Sequence, residues 1–378
     1  MNFRDFLVIM AERNASDIYF TEDSPPMYRI EGIVQPIGEP VFTAADLESL
    51  AQSLMNERQW HEFHEQMEMN LALSSSGLGR FRVNAFRQRG SVGLVVHKIN
   101  VEIATIDQLG LPAILKDIVM TKRGLVLVVG ATGVGKSTSL AAMIDHRNSN
   151  APGHIISIED PIEFVHSHKQ ALVNQREVGF DTHSFQDALK NALRQTPDVI
   201  LIGEIRDSDT MEAAITFADT GHLCLATLHS TNANQAFERI INFFPESRHA
   251  QTFLQLSLNM RAIISQRLVM GTQGLRLAAM EILLDTPRIK DLIKKGELDT
   301  IKEAMEQGAP EGCQTFDMAL FDLYSAGRIS LDQALSNADS LNNLRLKIKV
   351  SDTKDSAATK KTEAAGLRLE GTSRFNRM

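Results

Sequence analysis

The sequence predicts a two-domain α/β protein in which a smaller α+β domain precedes a larger α/β domain. At 378 residues the chain is too long for one ordinary hydrophobic core. From about residue 105 to about residue 285, buried apolar strands alternate with helical patterns, as in a mainly parallel sheet. The terminal stretch is rich in small, polar and charged residues, a composition typical of disordered segments. We therefore expect domains at 1–104 and 105–345 and a disordered polar tail at 346–378.

The smaller domain is predicted from short strands that surround two helical patterns. The clearest strands run over Met27–Ile30, Arg80–Phe86 and Val92–Ile99. Thr43 is a suitable N-cap for a helix whose apolar residues share one face. These features need no function beyond core packing.

Composition excludes several classes of protein. A net charge of −8 disfavours a surface that grips nucleic acid everywhere. The two cysteines, Cys224 and Cys313, are far apart, so neither a disulfide framework nor a four-cysteine zinc site is supported, and a reducing cytoplasm fits. Since no apolar run approaches the ~20 residues of a membrane helix, we expect peripheral membrane contact only.

The strongest motif is a glycine-rich loop between an apolar strand, 124–129, and a predicted helix. It satisfies the pattern G-x-x-x-x-G-K-[ST] in the strand-to-helix context that this pattern requires. Backbone N–H groups of such a loop close around phosphate oxygens, and the helix N-terminus adds partial positive charge. We assign nucleotide binding to the loop and the residue after it: Gly130, Ala131, Thr132, Gly133, Val134, Gly135, Lys136, Ser137 and Thr138.

The same loop predicts the cofactor. Lys136 is expected to neutralise the terminal phosphates, and the Ser137 hydroxyl can bind Mg²⁺ at the first helical turn. We expect ATP with Mg²⁺.

Two later strands end in acidic residues, where ligands of open α/β sheets bind. After the strand at 155–158, Pro161 turns the chain and Glu163 could orient and deprotonate water. After the strand at 199–202, Glu204 is suited to Mg²⁺ and its waters. Which glutamate is the base stays open. His222 and His229 bracket a further buried strand, and one must lie at each end.

These segments together resemble the PilT/PilU family of type IV pilus retraction ATPases, within the secretion ATPase superfamily. The resemblance covers residues 1 to about 345 and implies a RecA-like P-loop ATPase domain after a PAS-like N-terminal domain. In that family the loop is Walker A, IEDPIE carries the catalytic glutamate, here Glu163, and LIGEIRD is Walker B with Glu204. The His box supplies His229 to the nucleotide. N-terminal arginines reach nucleotide bound at a subunit interface, and the candidates are Arg80, Arg82 and Arg87.

Several departures favour the PilU branch of this family. The segment NANQAFERIINFFPE follows the His box, RIKDLIKKGELDTIKEAMEQG replaces the AIRNLIRE element of PilT-like chains, and the tail is polar. Thr196 and His97 also replace residues usual in PilT-like chains, aspartate and arginine. The missing AIRNLIRE element puts retraction by this chain alone in question.

The resemblance implies a homohexameric motor that powers or assists pilus retraction and twitching motility. Its expected partners are the PilT ATPase and the inner-membrane pilus platform protein, without nucleic acid, on the cytoplasmic side of the inner membrane. Two alternatives stay open: a pilus assembly or type II secretion ATPase, and a mainly structural or regulatory partner of PilT. A nucleic-acid translocase on the same core has little support, because the chain has one Trp and three Tyr.

Overall fold

A computed structural model describes residues 2–30, 32–38, 41–99 and 102–351. Contacts divide the chain into two compact units. The first contains the chain up to Ile103 together with Asp160–His168 and Gln175–Ser184, and the second contains Ala104–Glu159, Lys169–Asn174 and the chain from Phe185 onward. The sequence pattern did not predict that the two later segments group with the first unit. That residues 1–104 form a separate domain stays a prediction.

The first unit is built on a six-stranded antiparallel sheet in the order β3-β2-β1-β6-β5-β4. The three strands predicted from sequence are present as β2, β5 and β6, and Thr43 caps α2 as expected. The helices and strands of this part of the chain are α1 (Phe3–Glu12), β1 (Asp17–Phe20), β2 (Met27–Ile30), β3 (Ile33–Pro36), α2 (Ala44–Leu54), α3 (Glu57–Gln66), β4 (Glu68–Ser75), β5 (Gly79–Gln88) and β6 (Ser91–Ile99).

Alternation along β5 decides which side chains this sheet buries. Phe81, Val83 and Ala85 are fully buried, whereas Arg80 and Arg82 stay partly exposed. Successive strand residues point to opposite faces. The two arginines therefore share the face opposite the apolar core.

The second unit is built on a seven-stranded sheet in the order β13-β12-β7-β11-β10-β8-β9. The strands of this sheet are β7 (Gly124–Val129), β8 (Gly153–Glu159), β9 (Ala171–Glu177), β10 (Val199–Ile202), β11 (Leu223–Leu228), β12 (Met260–Met270) and β13 (Arg276–Leu284). The end of β9, from Gln175 onward, is grouped with the first unit. Its helices are α4 (Ile114–Val119), α5 (Lys136–Asn150), α6 (Phe185–Ala192), α7 (Ser208–Asp219), α8 (Ala233–Asn242), α9 (Glu246–Asn259), α10 (Pro287–Lys295), α11 (Ile301–Gln307), α12 (Phe316–Ser325), α13 (Leu331–Ser336) and α14 (341–351).

Parallel pairing holds the centre of this sheet together. β12, β7, β11, β10 and β8 are joined by four parallel ladders, and β13 pairs antiparallel with β12. Every residue of β7, β10 and β11 is buried, as expected for strands covered on both faces. The predicted mainly parallel α/β fold is confirmed. No helix among the described residues is both long and apolar enough to span a bilayer.

The predicted tail is wrong at its start. Residues 346–351 belong to α14, whose Leu344 and Ile348 are buried against a cluster that includes Phe316 and Val269. The four-residue spacing of Leu344 and Ile348 places both on one helical face. The rest of the predicted tail, 352–378, lies outside the described residues.

Leu344→Ala is expected to lower the free energy of unfolding by about 2–5 kcal/mol, because it removes a buried leucine and leaves a cavity. Leu346→Ala is the matched control, since Leu346 lies two residues away with 64% of its surface exposed, against 1% for Leu344. Urea titrations of both variants test this. Equal losses of stability in the two variants would show that α14 does not pack as described.

Candidate functional site

The glycine-rich loop leaves β7 at the carboxyl edge of the sheet and leads directly into α5. β7 ends at Val129 and α5 begins at Lys136. The backbone takes positive φ at Gly130, Gly133 and Gly135, a conformation that is costly for other residues. The loop residues from 131 to 133 are exposed. The strand, loop and helix that a phosphate-binding motif needs are thus present in the predicted order.

The N-terminus of α5 has no capping side chain. Gly135 occupies the N-cap position, and no side chain accepts a hydrogen bond from the first turn, which also holds no acidic residue. The first N–H groups of a helix carry partial positive charge and need acceptors. Ser137 and Thr138 lie half-buried in this turn. An anion is the ligand that this end of α5 suits best.

The Lys136 ammonium lies over the start of its own loop. Its Nζ donates hydrogen bonds to the carbonyl oxygens of Gly130 and Ala131, each at 2.9 Å. These bonds hold the positive charge beside the uncapped helix end. The loop, the helix and the lysine therefore concentrate positive potential at one point of the sheet edge.

Glu204 and His229, both assigned to the site from sequence, are in direct contact. They follow the neighbouring parallel strands β10 and β11. His229 Nε2 lies 2.8 Å from Glu204 Oε1, and Arg206 Nε donates to Glu204 Oε2 at 2.6 Å. The carboxylate thus accepts from one side chain at each oxygen.

Hydrogen bonds continue past the ends of these strands and fix the segment that carries Glu204. Gly203 N donates to Ile158 O at 2.8 Å, and Ile205 N donates to Thr227 O at 2.9 Å. The Thr227 hydroxyl donates to Gly203 O. The backbone on both sides of Glu204 is therefore held by the two adjacent strands.

His222 lies at the opposite end of β11 from His229, as predicted. Its Nδ1 lies 3.2 Å from Phe217 O and 3.1 Å from the Thr220 hydroxyl. These partners belong to the end of α7 and the turn after it. His222 thus has a structural role, away from the glycine-rich loop.

Two buried polar residues that the sequence analysis did not single out also hold the site backbone. Gln266 on β12 donates from Nε2 to Val134 O at 2.7 Å. Glu281 on β13 accepts from Ala233 N at the start of α8, 2.8 Å away. Gln266 stands between Ser265 and Arg267 in the segment IISQRLV, so no local signal in the sequence set it apart.

Glu163 belongs to the first unit, four residues beyond the end of β8. Its side chain is exposed, and its neighbour Ile162 is buried. Ile162 N donates to Glu177 Oε2 at 3.3 Å. Glu177 is only 2% exposed, and burial raises the pKa of its carboxyl, while this hydrogen bond and the charges of Arg82 and Arg80 oppose the rise. Nothing in the sequence distinguished Glu177 from a surface glutamate.

The three candidate arginines differ in their surroundings within the first unit. Arg80 and Arg82 lie near Glu177 on one face of β5. Arg87 makes two hydrogen bonds to the Glu48 carboxylate, at 2.7 and 2.8 Å, and lies over the Phe63 ring. Arg87 would have to leave this pair to reach a phosphate, so it is the weakest of the three candidates. Their contact with nucleotide stays a prediction.

Among the residues that the structure describes, no three histidine, cysteine or acidic side chains cluster in a way that could hold a metal ion. Any cation at the site would need other oxygen donors, such as a hydroxyl or the oxygens of a bound phosphate.

Comparison with known proteins places the chain in a family. The family described as type II/IV secretion system protein matches residues 5–371. The chain belongs to this family. The type IV pilus ATPase PilU of Pseudomonas aeruginosa is 52% identical over 94% of this chain and 93% of its own length. The type IV pilus retraction ATPase PilT of the same organism is 41% identical, covering 89% of this chain and 98% of that protein.

A solved structure supports the same assignment. The crystal structure of the pilus retraction motor PilT with bound ADP superimposes with a TM-score of 0.85 at 39% identity, covering 91% of this chain and 99% of that one. The predicted PilT/PilU resemblance is confirmed, and the chain is a P-loop ATPase of the secretion family.

The buried carboxyl of Glu281 makes stability depend on pH. It is 3% exposed, and burial raises its pKa, while the hydrogen bonds from Ala233 N–H and the Ser265 hydroxyl oppose the rise. Because the native state holds the proton more tightly than the unfolded chain, the stability from this group is present at acidic pH. It is lost as the pH rises through the native pKa.

Glu281→Gln keeps an oxygen for both donors and cannot ionise. We expect its stability relative to the wild type to increase between about pH 5 and about pH 8, because only the wild-type carboxyl must ionise inside the core. Urea unfolding across this range measures the difference, and Glu238→Gln, at an exposed position on α8, is the control. A difference that shrinks as the pH rises would contradict the assigned shift.

Proposed function

We propose that this chain is an ATP-hydrolysing motor subunit that powers or assists type IV pilus retraction. The observation that carries the proposal is the uncapped start of α5 behind a glycine-rich loop, with Lys136 held over the loop. The names of the relatives PilU and PilT supply the biological setting. The site supplies the chemistry, which is binding and hydrolysis of a nucleoside triphosphate.

In this proposal the loop and Lys136 hold the phosphates of ATP. The N–H groups at the start of α5 supply hydrogen bonds to phosphate oxygens, and the ammonium of Lys136 neutralises charge on the terminal phosphates. Lys136 already has carbonyl partners at Gly130 and Ala131. A phosphate bound at the loop would meet an ammonium that these two bonds hold in position.

Mg²⁺ fits the donors present here. The Ser137 hydroxyl and the Glu204 carboxylate are hard oxygen donors of the kind that Mg²⁺ prefers. Glu204 already accepts hydrogen bonds from Arg206 and His229, which suits it to hold metal-bound water more than to bind the ion directly. Bound Mg²⁺ would neutralise charge on the phosphates.

The surroundings of the two glutamates support Glu163 as the base. Both oxygens of the Glu204 carboxylate are engaged by side chains, Arg206 at one and His229 at the other. The Glu163 side chain is exposed and accessible to water. We therefore assign proton abstraction from water to Glu163. Glu204, with His229, orients the water and the phosphate.

The assembly we propose is a homohexamer in which arginines of a neighbouring subunit complete each ATP site. Arg80 and Arg82 are the best candidates, because they share a partly exposed face of β5. Arginine supplied across an interface stabilises charge on the phosphates during transfer. Loss of the terminal phosphate would release that contact, which links hydrolysis to movement.

The remaining partners follow from the relatives. We propose that the hexamer acts beside PilT at the inner-membrane platform protein of the pilus machine, on the cytoplasmic side, and binds the membrane only peripherally. The departures toward the PilU branch support an accessory motor. Nucleic acid is not a proposed partner.

The chemical proposal is tested by three variants of the purified protein. Lys136→Ala is expected to lose ATP binding, because the phosphates lose their main cation. Glu163→Gln and Glu204→Gln are expected to bind ATP and to hydrolyse it at least about 100-fold more slowly, as for loss of a general base or a positioned water. Turnover by Glu163→Gln at the wild-type rate would remove its assigned role.

The biological proposal is tested by pilus retraction in cells. We expect little retraction when this gene supplies the sole retraction ATPase, and restored retraction when it acts beside a hydrolysis-dead PilT. The Lys136→Ala variant in the second background is the control, and it should abolish the restoration. Restoration that persists with Lys136→Ala would instead indicate a structural or regulatory partner.

A further inference from the structure

Gln266 lies beneath the phosphate loop on the neighbouring strand. In the parallel ladder between β12 and β7, Ser265 pairs with Val129, the last residue before the loop. Ala262 and Ile264 belong to the core cluster that also contains α5 residues. Gln266 follows them at the two-residue spacing of one strand face. Its side chain is 3% exposed and lies on that face of β12 at the level where β7 ends and the loop begins.

The amide of Gln266 contacts the two ends of the turn that carries Lys136. Nε2 donates to Val134 O at 2.7 Å, and Oε1 accepts from the Ser139 hydroxyl at 2.7 Å. The first bond fixes which end of the amide faces which partner, because a carbonyl oxygen can only accept, whereas a serine hydroxyl can donate or accept. With the NH₂ group facing the Val134 carbonyl, Oε1 is left to accept from Ser139.

Holding the Val134 carbonyl fixes the peptide group that joins Val134 to Gly135. A peptide unit is planar and trans, so its C=O and N–H point in opposite directions. When the Val134 carbonyl points at Gln266, the N–H of Gly135 must point away from it. That direction is open to a ligand at the uncapped end of α5.

Two glycines of the motif allow the backbone of the loop to lie this close to Gln266. A Cβ at Gly130 would lie 2.7 Å from Gln266 O, and a Cβ at Gly135 would lie 3.0 Å from Gln266 Nε2. The positive φ of both residues adds a separate demand for glycine. The loop thus lies against Gln266 as closely as its backbone allows.

We propose that Gln266 is a positioning residue for nucleotide binding, which turns the Gly135 N–H toward the phosphates by holding the Val134 carbonyl. The inference rests on the proposed ATP site. It differs from a role in core packing, because packing requires the volume of the side chain and positioning requires its NH₂ group.

Three variants separate these roles. Gln266→Met keeps the volume and loses both hydrogen bonds. Gln266→Glu keeps the shape and the acceptor for Ser139, but loses the donor to the Val134 carbonyl. Ser139→Ala removes the partner of Oε1 and leaves that donor in place.

We expect both Gln266 variants to raise the KM and the Kd for ATP about tenfold, the size of one hydrogen bond to a charged group. Turnover at saturating ATP should fall less than about threefold, because bound substrate and transition state share this contact. For Ser139→Ala, the KM for ATP, the Kd for ATP and the turnover rate should each stay within about threefold of the wild-type value. Fluorescent-nucleotide titration and steady-state hydrolysis measure these values. Thermal unfolding without nucleotide, and the size of the assembly, check that each variant is folded.

Two outcomes would overturn the inference. One is that both Gln266 variants bind ATP within twofold of the wild type. The other is that Ser139→Ala weakens binding as much as they do. If Gln266→Met fails to fold, Gln266→Glu decides the question by the same criterion. Failure of the wild type itself to bind ATP would overturn the proposed function as well, whereas unaltered variants beside an active wild type would overturn this inference alone.

Discussion

The site depends on the parallel pairing of β7 with β11 and of β11 with β10. Parallel strands end at the same edge of a sheet, so the residues that follow them lie side by side. This places the loop after Val129 beside the segment that carries His229, with the segment that carries Glu204 one strand further. All three strands are completely buried, because the helices of α/β crossovers cover both faces of a parallel sheet. The pairing in turn depends on this burial.

Positive and negative groups lie along the same edge and are held by different partners. The loop and α5 supply positive potential through N–H groups and Lys136, and no acidic residue lies in the first turn of α5. The Glu204 carboxylate has its own partners in Arg206 and His229. These two partners engage both oxygens of the carboxylate, so Glu204 is held in place by side chains that lie outside the loop.

The sequence was sufficient to predict the parts of the fold that local pattern controls. The apolar runs at 199–202 and 223–228 predicted β10 and β11 with their observed bounds, because buried parallel strands are apolar throughout. The motif also predicted the loop between β7 and α5. Leu344, Leu346 and Ile348 alternate like a strand, yet they lie in a helix because packing of Leu344 and Ile348 decides the conformation. Glu177 and Gln266 were missed, because their roles arise from contacts with residues distant in sequence.

Two loops and the start of α8 share one means of support at this edge. Each is held by a buried polar side chain that bonds a backbone group and comes from a nearby strand: Gln266 to Val134 O, Thr227 to Gly203 O and Glu281 to Ala233 N. Loops lack the ladders that satisfy strand backbone, so their polar groups need partners from outside. Burial of such a side chain costs desolvation free energy, and for Glu281 this burial raises the pKa, while its bond to Ala233 N–H opposes the rise. At the loop after β7 the support comes through a carbonyl, Val134 O, so the N–H groups of that loop are not used for it and can serve the proposed phosphate site.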